Sequence, residues 1–157
     1  VCSVKQVCLG RNVALKIALQ PTDVENENNM ASLEQFINEA QVTARLEHPH
    51  IVPVHTLAQE SSGRLFFTMK RVSGTSWEHL LDPDLAQFPD QRHNLRQQAA
   101  AMTFEDHLEI LSKVADAIAF AHDKNILHRD IKPANIFFKG SQHKLGDFGF
   151  AIPAREL

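Results

Sequence analysis

Between Asn135 and Asp147 the chain has to double back on itself, and that reversal constrains everything around it. Ile136-Phe137-Phe138 is an apolar, β-prone run, Lys139-Gly140-Ser141 carries turn chemistry, and His143-Lys144-Leu145 resumes an extended pattern. A short β-hairpin accommodates all three and returns Asp147 to the neighbourhood of Asn135 and Asp130. Three oxygen-bearing side chains then converge, with Lys132 among them. Hard oxygen ligands suit Mg²⁺ carrying phosphate. A carboxylate left free of metal can accept a proton from an incoming hydroxyl.

Upstream, Leu9-Gly10-Arg11-Asn12 reads as a turn between two strands. Residues 13–19 alternate, with Val13, Leu15, Ile17 and Leu19 on one side and Ala14, Lys16 and Ala18 on the other. A lysine beside a small alanine on one strand face suits a nucleotide, leaving room for a flat base and a cation for its phosphates. Taken alone, a strand lysine is more often a solvated edge residue. Residues 21–29 are polar and Asn-rich and read as a loop. Ser32 with Gln35 then forms a capping box, and Leu33, Phe36, Ile37, Ala40 and Thr43 follow helical spacing. Glu39 lies beside that stripe and can face inward, with Lys16 as its natural partner. Glu34 is the rival, a turn too early, and an ordinary surface glutamate is the bland alternative.

Residues 51–57 and 65–72 read as a strand pair around Ser61-Ser62-Gly63. Residues 82–102, with Pro83, Pro89 and a Gln-rich end, read as an irregular, exposed insertion that carries no chemistry. Thr103 with Asp106 can start a helix, in which Phe104, Leu108, Leu111, Ala115, Ile118 and His122 recur at i+3 and i+4. Asp123-Lys124-Asn125 ends it.

The segment His128-Arg129-Asp130-Ile131-Lys132-Pro133-Ala134-Asn135 resembles the catalytic loop of protein kinases. Asp147-Phe148-Gly149 resembles their metal-binding motif, and Val13-Ala14-Leu15-Lys16 their phosphate-contacting strand. The wider wording, including Glu47-His48-Pro49-His50-Ile51-Val52-Pro53-Val54 and Gly63-Arg64-Leu65-Phe66-Phe67-Thr68-Met69-Lys70, is similar to bacterial Ser/Thr protein kinases of the eukaryotic type. Any one motif is weak; the ordered set of strand lysine, helix glutamate, catalytic loop and metal aspartate is specific.

That resemblance implies an α+β, two-lobed fold present in part. Residues 1–72 would form an N-lobe sheet with one helix, and residues 73–157 the hinge, the insertion near 82–102 and the first part of a helical C-lobe. It implies ATP and Mg²⁺ as cofactors and Ser/Thr hydroxyls of a protein as substrate. By the same likeness Asp130 orients and deprotonates the substrate hydroxyl, and Lys132 places a charge near the transferred phosphoryl group. Lys16, fixed by Glu39, would grip the nucleotide phosphates, while Asn135 and Asp147 hold the metal. Met69 would be the gatekeeper and Lys70-Arg71-Val72 the hinge, with the Val72 backbone N–H donating to adenine. Val1 and Ala14 would close the base pocket from above and Phe137 from below. Lys132 is Ser/Thr-kinase wording, Arg129 implies control by activation-loop phosphorylation, and His128 is expected to pack on Phe148.

Length and charge bound the alternatives. The 157 residues argue for one domain, and 43% hydrophobic content supports a core of ordinary size. A net charge of -3 argues against nucleic acid or an anionic membrane surface as main partner. Cys2 and Cys8 have no metal-type spacing, which favours a reduced, cytoplasmic setting over a disulfide. No apolar run approaches the roughly 18 residues that a membrane span needs.

The chain also departs from the family. None of its six glycines forms a Gly-rich loop, and the sequence runs only to Ile152-Pro153-Ala154-Arg155-Glu156-Leu157. The expectation is a piece of a kinase domain incomplete at both ends, exposing an apolar patch and having little activity alone. A truncated kinase-like binding or regulatory module is the second reading, and a small-molecule phosphotransferase the third.

Overall fold

The computed structural model describes residues 1–18, 27–72, 74–140 and 142–154. Strands β1 (Cys2–Gln6), β2 (Arg11–Ile17), β3 (Val54–Gln59) and β4 (Leu65–Lys70) form an antiparallel sheet in the order β1-β2-β4-β3. Gly10, at φ 62°, makes the turn from β1 to β2 possible, since a left-handed backbone is costly for residues with a Cβ. In the β2–β4 register Ala14 faces Met69 and Lys16 faces Phe67, so these four share one side of the sheet.

Helix α1 (Glu27–Ala44) packs on that side. Phe36 and Ala40 join Ala18 and Phe67 in a buried cluster, with the Phe36 and Phe67 rings 5.0 Å apart. Burying each phenylalanine contributes about 1.5–3 kcal/mol. Ser32 lies inside α1, so the expected capping box with Gln35 is not formed. Met30 and Ala31 are good helix formers and carry the helix upstream of it. Leu19 and most of the expected loop at 21–29 lie outside the described residues, and Glu27, Asn28 and Asn29 are already helical.

The second half is built on α4 (Phe104–Asp123), which opens with a capping box between Thr103 and Asp106. Its buried stripe is Ile110, Val114, Ala117 and Ala121, set against Ile136, Leu145, Phe148 and Ala151, with Leu46 and Ile51 from the first half. The series expected to face the core is mostly outward: Phe104, Leu108 and Leu111 are 72%, 48% and 47% exposed. The helix carries two apolar series, and period alone does not say which one meets the sheet. The small Ala117 and Ala121 let the β-hairpin that follows Asn135 approach closely, which decides the face. An exposed apolar patch is therefore present, as expected, on α4.

Asn125, at φ 57°, turns the chain out of α4 into β6 (Ile126–Leu127), which pairs with β9 (Ile152–Pro153). Strands β7 (Ile136–Lys139) and β8 (Gln142–Leu145) form the expected hairpin, and β5 (Thr75–Ser76) adds to its β7 edge. Mutual hydrogen bonds stitch the halves together: Val52 N–H donates to Leu145 O at 2.9 Å and Leu145 N–H to His50 O at 2.7 Å.

The stretch expected to be irregular is mostly helical. Helix α2 (Trp77–Leu81) is capped by Ser76, a 3₁₀ turn follows at Pro83–Leu85, and α3 spans Pro89–Ala101. Proline at the first helical position is preorganised for a helix start, and the Gln, Arg and Ala that follow propagate it. Only Leu95 of α3 is buried, against Leu80 and Ala86, so the sequence offers no apolar period to read.

Candidate active site

Lys16 projects from the central strand β2, and Glu39 from the α1 face that packs on the sheet. The lysine Nζ donates to both carboxylate oxygens, at 2.7 Å to Oε1 and 2.6 Å to Oε2. It also lies 4.0 Å from Asp147 Oδ1 and 5.8 Å from the Phe67 ring centroid. Glu39 is buried, and desolvation raises its pKa above the ordinary 4.5, outweighing the opposing pull of Lys16. Glu34, the rival, is exposed.

The second cluster grows from the loop after β6. Asn135 Nδ2 donates to Asp130 O at 2.9 Å and to Asp130 Oδ2 at 3.0 Å. With both amide hydrogens so engaged, its carbonyl oxygen is left to face a cation. Lys132 Nζ sits 2.8 Å from Asp130 Oδ2. That contact, followed by the Asn135 bond, holds the Asp130 carboxyl below the usual 3.8, and the Asp130 carboxylate in turn raises Lys132 above 10.5. Gly146 N–H donates to Asn135 O at 2.9 Å, which ties the end of β8 back to the loop.

Two backbone conformations aim these groups. Arg129 and Asp147 have φ of 65° and 58°, a left-handed region that non-glycine residues occupy at a cost. Asp147 Oδ1 accepts from Gly149 N–H at 3.3 Å, a local bond that offsets part of that cost. His128 sits beneath them: Asp130 N–H donates to its Nδ1 at 3.2 Å, so Nε2 carries the proton and donates to Gly146 O at 3.0 Å. Its ring centroid is 4.4 Å from that of Phe148, and burial lowers its pKa below 6.5, so it is neutral packing.

A cavity of about 410 Å³ lies between the sheet and the hairpin. It is lined by Val1, Ala14, Lys16, Glu39, Met69 and Val72 on one side and by Asn135, Phe137 and Asp147 on the other. Asp130 and Lys132 stand outside that lining and connect to it through Asn135. The donor set fits Mg²⁺ with phosphate: a carboxylate and an amide oxygen are hard ligands. Among the described residues no group of three or more His, Cys, Asp or Glu could hold a metal, so phosphate and water oxygens would have to complete the shell.

Sequence reasoning missed the clasp between α1 and the segment after Asp147. Gln35 Nε2 donates to Gly149 O at 2.8 Å and Asn38 Nδ2 to Ala151 O at 3.0 Å. The available signal was spacing: Gln35, Asn38 and Glu39 fall at i, i+3 and i+4, one helix face. Val52 and Gly146 also line the cavity unanticipated. A Cβ on Gly146 would stand 3.2 Å from the Phe137 ring, so glycine keeps the floor close.

A sheet with one helix, a hairpin-bearing helical half and, between them, a cleft that gathers Lys16, Glu39, Asn135 and Asp147 make up a two-part α+β fold. The protein kinase domain model matches residues 1–156, and the chain belongs to that family. It is 34% identical over 148 residues to serine/threonine-protein kinase PknJ of Mycobacterium tuberculosis, covering 91% of this chain and 22% of that protein. It is also 34% identical over 151 residues to serine/threonine-protein kinase pkn2 of Myxococcus xanthus, covering 94% and 16%. The chain thus spans about a fifth of the length of these curated relatives. Among solved structures, a chain of the yeast RNA Pol II CTD kinase CTDK-1 complex superposes with a TM-score of 0.68 at 19% identity, covering 96% of this chain and 42% of that one. That likeness establishes the α+β kinase fold. No helix among the described residues is long and apolar enough to cross a membrane.

Proposed function

We propose that the chain contributes the catalytic cleft of a Ser/Thr protein kinase that moves the γ-phosphoryl group of ATP to a protein hydroxyl. The observation that carries this reading is the meeting of Lys16, Glu39 and Asp147 on one cavity, with Asn135 linking it to Asp130. Adenine would lie between Val1 and Ala14 above and Phe137 below, with the Val72 backbone as donor and Met69 at the rear. Lys16 is held by two bonds to Glu39, which position its ammonium for the phosphates. Asn135 and Asp147 would hold Mg²⁺, which neutralises phosphate charge when bound.

Asp130, ionised at neutral pH because Lys132 and Asn135 favour its charged form, orients the incoming Ser or Thr hydroxyl. A carboxylate of such low basicity takes the proton as the new O–P bond forms rather than before it. That fits a loose transition state, in which the nucleophile needs little activation. Lys132 meets the charge on the transferred group. The test is transfer of γ-labelled phosphate from Mg·ATP to a Ser/Thr-rich protein such as casein, by a longer version of the protein that includes this chain. Transfer that is lost in Asp130→Ala while nucleotide binding persists supports the reading, and transfer unaffected by that change would refute it.

A further inference from the structure

A second cavity, of about 900 Å³ against 410 Å³ for the cleft, lies alongside α3, in the stretch for which the sequence offered no chemistry. Its walls are tied to one another. Leu95 and Ala86 are buried together, Arg92 Nε donates to Ala86 O at 2.7 Å, and Arg96 Nη2 meets Asp84 Oδ1 at 2.5 Å. Both arginines are engaged in holding the wall, and neither lines the groove.

The lining chemistry is specific in kind. Gln87, Gln91, Asn94 and Gln98 all line it, and the last three share one face of α3. Each carboxamide presents donors and an acceptor, the same complement as a peptide group. Gln91 and Gln98 are separated by about 10.5 Å of helix rise, the length of roughly three extended residues. The fixed charges of the lining are one carboxylate, Glu78, and one ammonium, Lys139, which cancel. A phosphate or other strongly anionic ligand finds no excess of cation there. At the lip, Leu85 and Phe88 are 52% and 59% exposed, an apolar pair in contact with solvent.

We propose that this groove docks an extended, uncharged peptide segment of a partner protein. The peptide backbone pairs with the α3 carboxamides, and an apolar side chain seats against Leu85 and Phe88. Val72 and Phe137 line both this groove and the cleft, so an occupant shares a wall with whatever the cleft binds. The site stands on its own lining and does not depend on phosphoryl transfer in the cleft.

The experiment pans a phage-displayed library of random linear peptides against the immobilised chain. Enriched peptides are then synthesised with capped ends and titrated by anisotropy. Trp77, the sole tryptophan, provides an independent reporter because its neighbours Ser76 and Glu78 line the groove. The expected winners are uncharged, with apolar residues at alternate positions. Gln91→Ala with Asn94→Ala weakens them roughly tenfold, as loss of about two hydrogen bonds requires, and Leu85→Ser also weakens them. Alanine favours the exposed helix, so these changes leave the fold intact. Lys5→Ala, on exposed β1, changes nothing. No enrichment over the bare support, winners that are charged, or winners that bind the double variant as tightly as the parent would each overturn the proposal.

Discussion

Replacing Lys16 by Met, Glu39 by Gln, and both together turns the ion pair at the cleft into a measurable interaction energy. Lys16 Nζ lies 2.7 Å and 2.6 Å from the two carboxylate oxygens, and the side chains are 28% and 9% exposed. A hydrogen bond to a charged group contributes about 1.5–3 kcal/mol. The lysine keeps some contact with water, which screens the pair, so the coupling belongs at the lower end, about 1.5–2 kcal/mol. Lys16→Met alone costs about 2–3 kcal/mol at neutral pH, because it leaves a buried carboxylate without its cation.

The pH dependence gives a second reading of the same pair. Burial raises the Glu39 carboxyl above 4.5, so the folded state holds its proton at higher pH than the unfolded state does. Its contribution is fully present below the unfolded value and is lost as pH rises through the folded one. Lys16→Met removes the cation that opposes this shift and steepens that loss, whereas Glu39→Gln abolishes it. Urea unfolding followed by Trp77 fluorescence at about pH 5 and about pH 8 measures both effects. A coupling below about 0.5 kcal/mol, or a pH slope that Lys16→Met leaves unchanged, would refute the reasoning.

Three further outcomes concern the clasp, Gly74 and His128. Gln35→Leu with Asn38→Ala removes the clasp to Gly149 O and Ala151 O and loosens the segment after Asp147. Hydrogen exchange at the amides of residues 147–151 then quickens while α4 keeps its protection, and equal rates in parent and variant would sink the clasp. Gly74→Ala drives a Cβ into Phe138 O, a backbone atom that cannot move aside cheaply. It lowers stability by about 1–3 kcal/mol or more, visible as a fall in Tm; an unchanged Tm contradicts the packing described. His128 is held neutral by burial, with its folded pKa below 6.5. Its contribution is present above that pH and lost as pH falls through the folded value. The parent therefore loses stability on acidification in that window, and His128→Gln, less stable at neutral pH, shows a shallower slope. Parallel slopes would count against this.

The hairpin and the polar cluster were legible because they rest on local chemistry. Gly140 at φ 55° and the apolar, β-prone run Ile136-Phe137-Phe138 before it encode the reversal within a few residues. The Lys16–Glu39 contact was legible through the family resemblance: the residues alone left a solvated strand lysine and a surface glutamate as the plainer readings, with Glu34 as a rival. Where tertiary context decides, the sequence was silent or misleading. On α4 two apolar series compete, and the buried one was chosen by Ala117 and Ala121 admitting the hairpin. Helix α3 buries only Leu95, so its helicity lay in Pro89 and in propensity rather than in period. Ser32 looked like a cap because its neighbours fit the pattern, but a helix entered from upstream has no use for one. Gln35 and Asn38 bond to backbone more than a hundred residues away; their spacing puts them on the Glu39 face of the helix, but nothing local names their partners.

Paramagnetic broadening by Mn²⁺·ATP tests most directly whether both halves of the chain close on one nucleotide site. With Mn²⁺ standing in for Mg²⁺, amide resonances of Lys16, Asn135 and residues 146–149 are expected to broaden together at substoichiometric metal, with those of α3 and β3 left sharp. Asp147→Ala should abolish the broadening without altering the rest of the spectrum. Broadening confined to one half of the chain, or spread evenly over exposed carboxylates, would contradict a single cleft formed by Lys16, Asn135 and Asp147.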